Sequence, residues 1–418
     1  MKILVLGAGV TGVTTAYRLA ERGHDVTVVE GRSGPAEGTS RANAGLITPS
    51  QAPPWNEPGV PRQALKWLFE EGGALVIRPR PDPALWGWLL RFVLHSRPAL
   101  HEANARTILA LARHSRAELD RVVAAAGIAF DRTDRGILTL VRGPGGRAGA
   151  ERTMRGLGRL GIACSLLDRD QCLTLEPALA PVAETIDGGI HTPEDCSGDI
   201  YLFVTALARA AADRGVRFHF DRTIEMLRSA SGRIAGIVAG GETMTADRYV
   251  LALGPGSRRL AAGVGIRLPI YPVQGLSVTL TMSGWSRPPT MPVRDRIHKV
   301  AITPMGDRLR VAGMAILDGG SLAMAPRHLA RLRQAVAELF PTAPRGDPAF
   351  EWSGLRPMTP DGPPIIGSTR LVNLYLNTGH GSLGWTLACG SADVVTDLIE
   401  GRPPAVPVER LGLDRYRF

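Results

Sequence analysis

Three glycines near the start of the chain, Gly7, Gly9 and Gly12, carry the clearest chemical signal among its 418 residues. They stand in Gly7-Ala8-Gly9-Val10-Thr11-Gly12, directly after the apolar run 2–6, and the segment 25–30 ends on an acid, Glu30, 18 residues past Gly12. A glycine turn between a strand and a helix is what a dinucleotide pyrophosphate requires. Gly7 permits the tight turn, Gly9 lets backbone approach the phosphates, and Gly12 lets the helix press on the strand, while the first N–H groups of the helix, around Val10 and Thr11, face the anion. Glu30 is placed to accept hydrogen bonds from an adenosine ribose. Its charge would repel a 2′-phosphate, which selects NAD or FAD over NADP.

A second glycine-rich turn, Asn377-Thr378-Gly379-His380-Gly381-Ser382-Leu383-Gly384, opens a helix that the pattern places from about 384 to 400. Such a turn offers N–H donors and the positive end of a helix, which suits the negative charge that reduced flavin carries at N1 and O2. His380 invites a role as a base, because an unperturbed imidazole titrates near pH 6.5; the alternative is that it shapes the turn or hydrogen-bonds a cofactor. His298 is a second candidate, with space-filling on a strand as its bland alternative. Arg356, in Gly354-Leu355-Arg356-Pro357, offers a planar guanidinium, the natural bidentate partner of a carboxylate. Pro357 restricts the backbone beside it. The bland alternative is an ordinary surface ion pair.

The elements that must position these residues follow from periodicity and punctuation. A helix spans about 11–22 and stops at Gly23, and the polar, glycine-rich stretch 31–50 is a long loop beside the nucleotide turn. Pro53, Pro54, Pro58 and Pro61 stiffen the chain after it. Helices follow over about 99–126, with Ile108, Leu111, Leu119, Val122 and Val123 as its apolar face, and over 148–160; a strand spans 136–142. Asp199 caps a helix from 200 to 213, followed by a strand over 216–220. Strands 233–239 and 244–250 flank Gly240-Gly241, a hairpin signal. The second arm runs on into Gly254-Pro255-Gly256, as in a return to the nucleotide sheet. Strands 271–281, 298–303 and 308–314 read as a different, antiparallel sheet, and 326–340 as a helix. Helix and strand alternate at both ends with a hairpin-rich block between, so a second domain is inserted into a discontinuous cofactor domain. A strand over 373–377 completes the pattern.

Composition bounds the class. Hydrophobic residues make up 44% and charged residues 21%, as in a globular enzyme of two domains. The net charge of +10 comes from scattered arginines without a nucleic-acid-binding motif, so a solvated basic surface is expected and no nucleic-acid partner. Cys164, Cys172, Cys196 and Cys389 lack metal-ligand spacing, so no metal site is expected and the thiols read as reduced. A nucleotide strand starting at residue 2 leaves no room for a cleaved leader, which points to the cytoplasm. No run of 18 apolar residues occurs. The segment 85–94 (LWGWLLRFVL) reads as a buried helix or as a helix lying in a membrane interface, a peripheral contact with the inner face.

An NAD enzyme would follow Glu30 with further parallel βα units; the loop, prolines and long helices found here favour FAD. On Gly7–Glu30, Ala42-Asn43-Ala44-Gly45, Tyr271-Pro272-Val273-Gln274-Gly275, Lys299-Val300-Ala301-Ile302-Thr303, Gly354–Gly362 and Asn377–Gly390, the chain resembles the FAD-dependent D-amino acid oxidase superfamily. Within it the likeness is greatest to the bacterial D-amino acid dehydrogenase small subunits, and it runs from Met1 to about Arg417.

The resemblance implies an α/β plus α+β protein: a Rossmann-like FAD-binding domain (1–50, 180–265 and 350–418) with an inserted antiparallel-sheet substrate-binding domain (51–179 and 266–349). It implies that Gly7, Gly9, Gly12 and Glu30 hold the ADP half, with Arg32 near the adenine. Ser40, Asn43, Ala44, Gly45 and Leu46 approach the pyrophosphate or flavin, Ile224 the adenosine, and Gly254 the phosphates. Gly354 and the turn Gly379, His380, Gly381, Ser382 and Leu383 border the isoalloxazine, and Arg356 clamps the substrate carboxylate.

The implied reaction is oxidation of a D-amino acid by hydride transfer from Cα to flavin N5, giving an imino acid that water converts to a 2-oxo acid and ammonia. A quinone or another acceptor takes the electrons. Close alternatives act on glycine, sarcosine, proline or hydroxyproline, or use O2. Further alternatives are a flavin-binding subunit active only within a complex and an NAD-binding regulatory protein. Two departures from the family pattern stand out: Gln274 where many relatives have lysine, and Ala301 where amino acid oxidases place a carboxylate-binding tyrosine. Tyr271 or the loop 46–55 is then expected to supply the second carboxylate contact.

Overall fold

A computed structural model describes residues 1–59, 75–78, 80–344 and 346–416. Pro61 and Arg417 lie outside the described residues.

The continuous apolar run Lys2–Leu6 becomes the centre of a six-stranded sheet in the order Ile365–Ser368, Leu374–Thr378, Arg248–Leu251, Lys2–Leu6, Asp25–Val29, Arg217–His219. All pairs but the first are parallel. A strand buried on both faces must be apolar throughout, and Ile3, Leu4, Val5 and Leu6 are each at most 3% exposed. Both termini of the chain thus contribute to one cofactor sheet, as the alternation at each end predicts.

The helix Val10–Glu21 covers one face, and the helices Ile200–Asp213 and Gly384–Glu400 pack on it. Asp199 caps the former as expected, accepting from Tyr201 N at 2.8 Å and Leu202 N at 3.3 Å. The helix Pro98–Ala126 opens on proline and ends at Gly127 with φ 62°; its residues Ile108, Leu111, Leu119 and Val122 are buried in the same core.

The second sheet is large. Among the described residues it has nine strands, in the order Phe350–Met358, Tyr271–Thr281, Arg308–Leu317, Val300–Met305, Val293–Asp295, Ile137–Val141, Gly188–Thr192, Ser165–Leu167, with Leu75–Ile77 beside Arg308–Leu317. It is antiparallel apart from the pairs Val293–Asp295 with Ile137–Val141 and Arg308–Leu317 with Leu75–Ile77. Helix Pro326–Leu339 packs on one face of it through Leu329, Leu332, Val336 and Leu339.

Several elements differ from the sequence reading. The arm expected over 244–250 is two strands, Glu242–Met244 in a three-stranded hairpin sheet and Arg248–Leu251 in the cofactor sheet. The strand expected over 298–303 begins at Val300 because Asp295 accepts from His298 N at 2.9 Å and its ring, making a turn in which Lys299 has φ 54°. Phe350–Met358, a segment given no element by the sequence reading, is a strand at the edge of the large sheet, where Pro357 is tolerated.

We propose the division into 1–50, 180–265 and 350–418 for cofactor and 51–179 and 266–349 for substrate, with three departures. Phe350–Met358 and Gly188–Thr192 are hydrogen-bonded in the large sheet, and Pro98–Ala126 lies in the cofactor core. All four cysteines are free.

Three helices are tied by one polar cluster. Asp393 on Gly384–Glu400 accepts from Arg18 Nε of the helix Val10–Glu21 at 2.7 Å and lies 2.9 Å from His114 Nε2 of Pro98–Ala126. The bond to Asp393 raises the His114 pKa. Burial works against the Asp393 carboxylate, yet His114 and Arg18 hold it down at about 2. His114 therefore stabilises the fold fully below its unfolded value near 6.5, and that contribution is lost as pH rises through its higher folded value. Asp393 contributes above about pH 4 and loses its effect as pH falls toward 2. Asp393→Asn is expected to cost about 2–3 kcal/mol of unfolding free energy between about pH 4 and 6.5, and less above it. Urea unfolding at stepped pH measures this; a pH-independent difference would rule out the His114 linkage.

Candidate active site

The glycine turn has no room for side chains where none was expected. A Cβ on Gly12 would stand 1.9 Å from Gly7 O, and one on Gly7, whose φ is 110°, would stand 2.8 Å from Ala252 O. Gly9 is different: a Cβ there would meet only Ser40 Oγ, at 3.6 Å. Its backbone is open to a cavity of about 450 Å³. Glu30 lines that cavity with both carboxylate oxygens fixed, Oε2 accepting from Ala8 N at 2.8 Å and Oε1 from Arg32 N at 3.0 Å. Each oxygen keeps further accepting capacity for a ribose hydroxyl.

The cavity runs from Glu30 and Arg32 past Gly7, Gly9, Val10, Thr11, Ser40, Asn43 and Gly254 to Gly354, Arg356, His380, Gly381 and Ser382. Two helices begin beside it, Val10–Glu21 and Gly384–Glu400, neither with a side-chain cap at its N-cap residue. Val10 N donates to Ser40 Oγ at 3.0 Å. The second glycine turn is joined to the turn Gly254-Pro255-Gly256, Thr378 Oγ1 donating to Gly254 O at 3.1 Å. Uncapped helix ends on one cavity form an anion-binding surface.

Six expected cofactor residues support this surface from behind. Gly12 packs the turn, and Ala44 O accepts from Thr303 Oγ1 at 2.8 Å. Gly45 N donates to Asn43 Oδ1 at 2.8 Å, and Leu46 pairs with Ser197. Gly379, with φ 76°, lies against Thr359, and Leu383 precedes the helix Gly384–Glu400. Ile224 is a correction of another kind: its side chain is 4% exposed in the hairpin core and does not line the cavity.

Arg356 projects from Phe350–Met358 over Gly275, where an added Cβ would stand 2.6 Å from the guanidinium carbon. Its Nη1 donates to Met314 O at 2.9 Å and Gln274 O at 3.4 Å. Among the described residues no carboxylate pairs with it. Burial lowers its pKa to about 10, so it stays a cation at neutral pH. The next bridge along the same strand, Met358 with His380, ties the guanidinium's strand to the second glycine turn.

The other two residues expected in catalysis have other work. His380 is buried, its Nε2 lies 2.9 Å from Ser391 Oγ, and burial lowers its pKa to about 3. A ring held neutral and bonded into its own helix shapes the turn and is a poor base. Tyr271 donates to Asp82 Oδ2 at 3.2 Å and does not line the cavity; burial first, then the Asp82 charge, pushes its pKa up to about 12. Its hydroxyl proton is thus spent, which removes it as the second carboxylate contact. His298 also faces away from the cavity, bonded to Asp295 and Glu338. In the loop 46–55, Thr48 N donates to Thr386 Oγ1 and Ser50 N to Asp195 Oδ1, each at 3.0 Å.

Sequence reasoning missed the residues that dock the loop 42–44. Ser277 Oγ donates to Ala42 O at 2.7 Å, Arg310 Nη1 to Asn43 O at 3.1 Å, and Thr303 to Ala44. Polar residues alternating with apolar ones on neighbouring strands were the available signal. Trp385, which lines the cavity at the start of its helix, was also missed.

A largely parallel sheet with a glycine turn and a cavity-lining acid, joined to a sheet that brings a guanidinium to the same cavity, defines a two-domain nucleotide-dependent oxidoreductase. Residues 2–398 match the family model described as FAD dependent oxidoreductase (DAO), and the chain belongs to that family. It is 44% identical over 416 residues to D-amino acid dehydrogenase of Bradyrhizobium diazoefficiens, covering 100% of this chain and 99% of the relative. It is 44% identical over 418 residues to the enzyme of the same name from Rhizobium rhizogenes, covering 100% of both. In fold it is similar to glycine oxidase from Geobacillus kaustophilus (TM-score 0.75, 23% identity, 100% of this chain and 99% of that one). L-proline dehydrogenase from P. horikoshii is comparable (TM-score 0.76, 19% identity, 99% and 97%).

FAD is the cofactor of this family, and the residues here fit it: an open Gly9 cradle, an acid fixed by backbone donors, and a second uncapped helix end. Glu30→Ala is expected to lower the flavin-to-protein ratio of purified protein and to weaken FAD retention on dialysis. Full flavination of the variant would remove the ribose role.

Proposed function

We propose that the protein oxidises D-amino acids to imino acids, which water converts to 2-oxo acids and ammonia, with a quinone or another acceptor taking the electrons. The observation that carries this reading is Arg356, a cation with no carboxylate partner among the described residues, held over Gly275 in the cavity that Glu30 also lines. The relatives named D-amino acid dehydrogenase at 44% identity over the full length support it.

FAD bound there supplies the hydride acceptor. The chain's own part is placement. Arg356 takes the α-carboxylate in a charge-assisted pair, and the Met314 and Gln274 carbonyls stop the guanidinium from swinging. Holding the reacting atoms about 3–3.5 Å apart is what such an anchor contributes to rate. His380, kept neutral, takes no proton near pH 7, so the substrate amine must arrive unprotonated.

Arg356→Ala is expected to raise KM at least 100-fold while leaving bound FAD in place. Unchanged kinetics would remove Arg356 from the site. Anaerobic bleaching of the flavin with paired D- and L-amino acids, plus proline and sarcosine, tests the substrate class; reduction by L-amino acids, proline or sarcosine alone would overturn it.

A cytoplasmic location with peripheral contact to the inner membrane face is part of the proposal. No helix among the described residues is long and apolar enough to cross a membrane. The helix Pro83–Leu94 buries Leu85 and Trp88 but exposes Trp86, Leu90, Val93 and Leu94, an apolar strip that a bilayer surface would cover. The double variant Trp86→Ser, Leu90→Ser is expected to release the protein from vesicles in a flotation assay; equal flotation would remove the contact.

A further inference from the structure

A second apolar element lies beside the helix Pro83–Leu94. The strand Arg308–Leu317 runs into the loop 318–325, in which Leu322 is 48% and Met324 37% exposed. Arg80 joins the two elements. Its carbonyl accepts from Trp86 Nε1 at 2.9 Å, while its guanidinium donates to Asp318 O at the start of the loop. The loop is held along its length. Ser321 N donates to Asp318 Oδ1 at 3.2 Å, Ala323 N to Ser321 Oγ at 3.1 Å, and Gln274 Nε2 to Ala323 O at 2.9 Å. These bonds satisfy the loop's polar groups and leave Leu322 and Met324 in solvent. With Trp86, Leu90, Val93 and Leu94 of the helix, two adjoining elements thus expose apolar side chains, and such a patch marks a contact surface.

The rim of this patch is basic. From residue 75 to 101 the sequence sets Arg78, Arg80, Arg91 and Arg97 against one acid, Asp82. All four arginines are exposed. Asp82 caps its helix through Oδ1 and accepts from Tyr271 through Oδ2, and Asp318 is 9% exposed with Arg78 at 3.9 Å, so both acids are engaged within the protein. Beyond the loop, Arg327 and Arg331 stand with Arg78 close enough to His328 to add to the lowering of its pKa by burial. An isologous pair of such patches would bring like charges together. A negatively charged surface matches both the apolar centre and the rim, and the net charge of +10 acts in the same direction.

Resting on the peripheral-contact reading above, we propose that the helix Pro83–Leu94 and the loop 318–325 form one docking surface for an anionic phospholipid bilayer. Trp86, Leu90, Leu322 and Met324 enter the interface, and Arg78, Arg80, Arg91 and Arg97 meet the head groups. Leu322 also lines the cofactor cavity. The seated protein therefore has one wall of that cavity at the lipid interface, the place from which a lipid-soluble electron acceptor would be drawn.

The test is flotation of the flavin-loaded, full-length protein with vesicles of phosphatidylcholine, with and without phosphatidylglycerol. Phosphatidylglycerol is expected to tighten binding about 100-fold at low salt, and high salt should remove most of that gain. Leu322→Ser with Met324→Ser should weaken binding to the mixed vesicles about 10- to 100-fold. Arg91→Gln with Arg97→Gln, a pair of exposed changes, should reduce the gain from phosphatidylglycerol about 10-fold. Equal binding to neutral and anionic vesicles, or binding indifferent to residues 322 and 324, would overturn the proposal. So would a lipid-free dimer that Leu322→Ser with Met324→Ser converts to monomer, because a second copy would then cover the patch. If the unaltered protein floats with neither vesicle, the peripheral-contact reading fails and this surface with it. If only Trp86→Ser, Leu90→Ser loses flotation, that reading stands and the loop is removed from the surface.

Discussion

A positive charge held without a negative partner is the constraint around which this protein is built. Arg356 sits half-buried over Gly275, and among the described residues its hydrogen bonds go to the Gln274 and Met314 carbonyls. Desolvation makes such an arrangement expensive, and the surrounding sheet must hold it in place. It does so by putting glycine at 275 beneath the guanidinium and by tying Met358 to the second glycine turn. The cost becomes useful when an anion arrives, because the pair then forms in surroundings where charge attraction is weakly screened.

The opposite end of the cavity obeys the complementary rule. There an acid, Glu30, is fixed by backbone donors, and helix ends with unsatisfied N–H groups lie between it and Arg356. FAD bound there would meet backbone donors along its middle and an acceptor in Glu30. Alignment of the two helix starts depends on the Arg18–Asp393–His114 cluster, which locks three helices against one another.

Most helices and the long strands 271–281 and 233–239 follow directly from local pattern, because each carries its own start and stop residues. The site residues followed from the same logic where the backbone itself does the work: Gly7, Gly9, Gly12 and Glu30 act through local geometry. Tyr271 and His380 misled because residue type suggests chemistry, whereas the partner decides it. Asp82, 189 residues away from Tyr271, accepts the phenol's hydrogen bond, and Ser391 engages the imidazole.

By itself, then, the amino-acid order determined a dinucleotide turn, a flavin-type second turn and the candidate anchor Arg356, since turns and caps are short-range. Only tertiary structure decided that Phe350–Met358 is an edge strand, that Pro98–Ala126 belongs to the cofactor core, and that Arg356 stands over Gly275. Those facts depend on strand register and on which face each residue takes, and a one-residue shift would reverse every face. No stretch of sequence contains that information, because it resides in pairings between segments far apart along the chain.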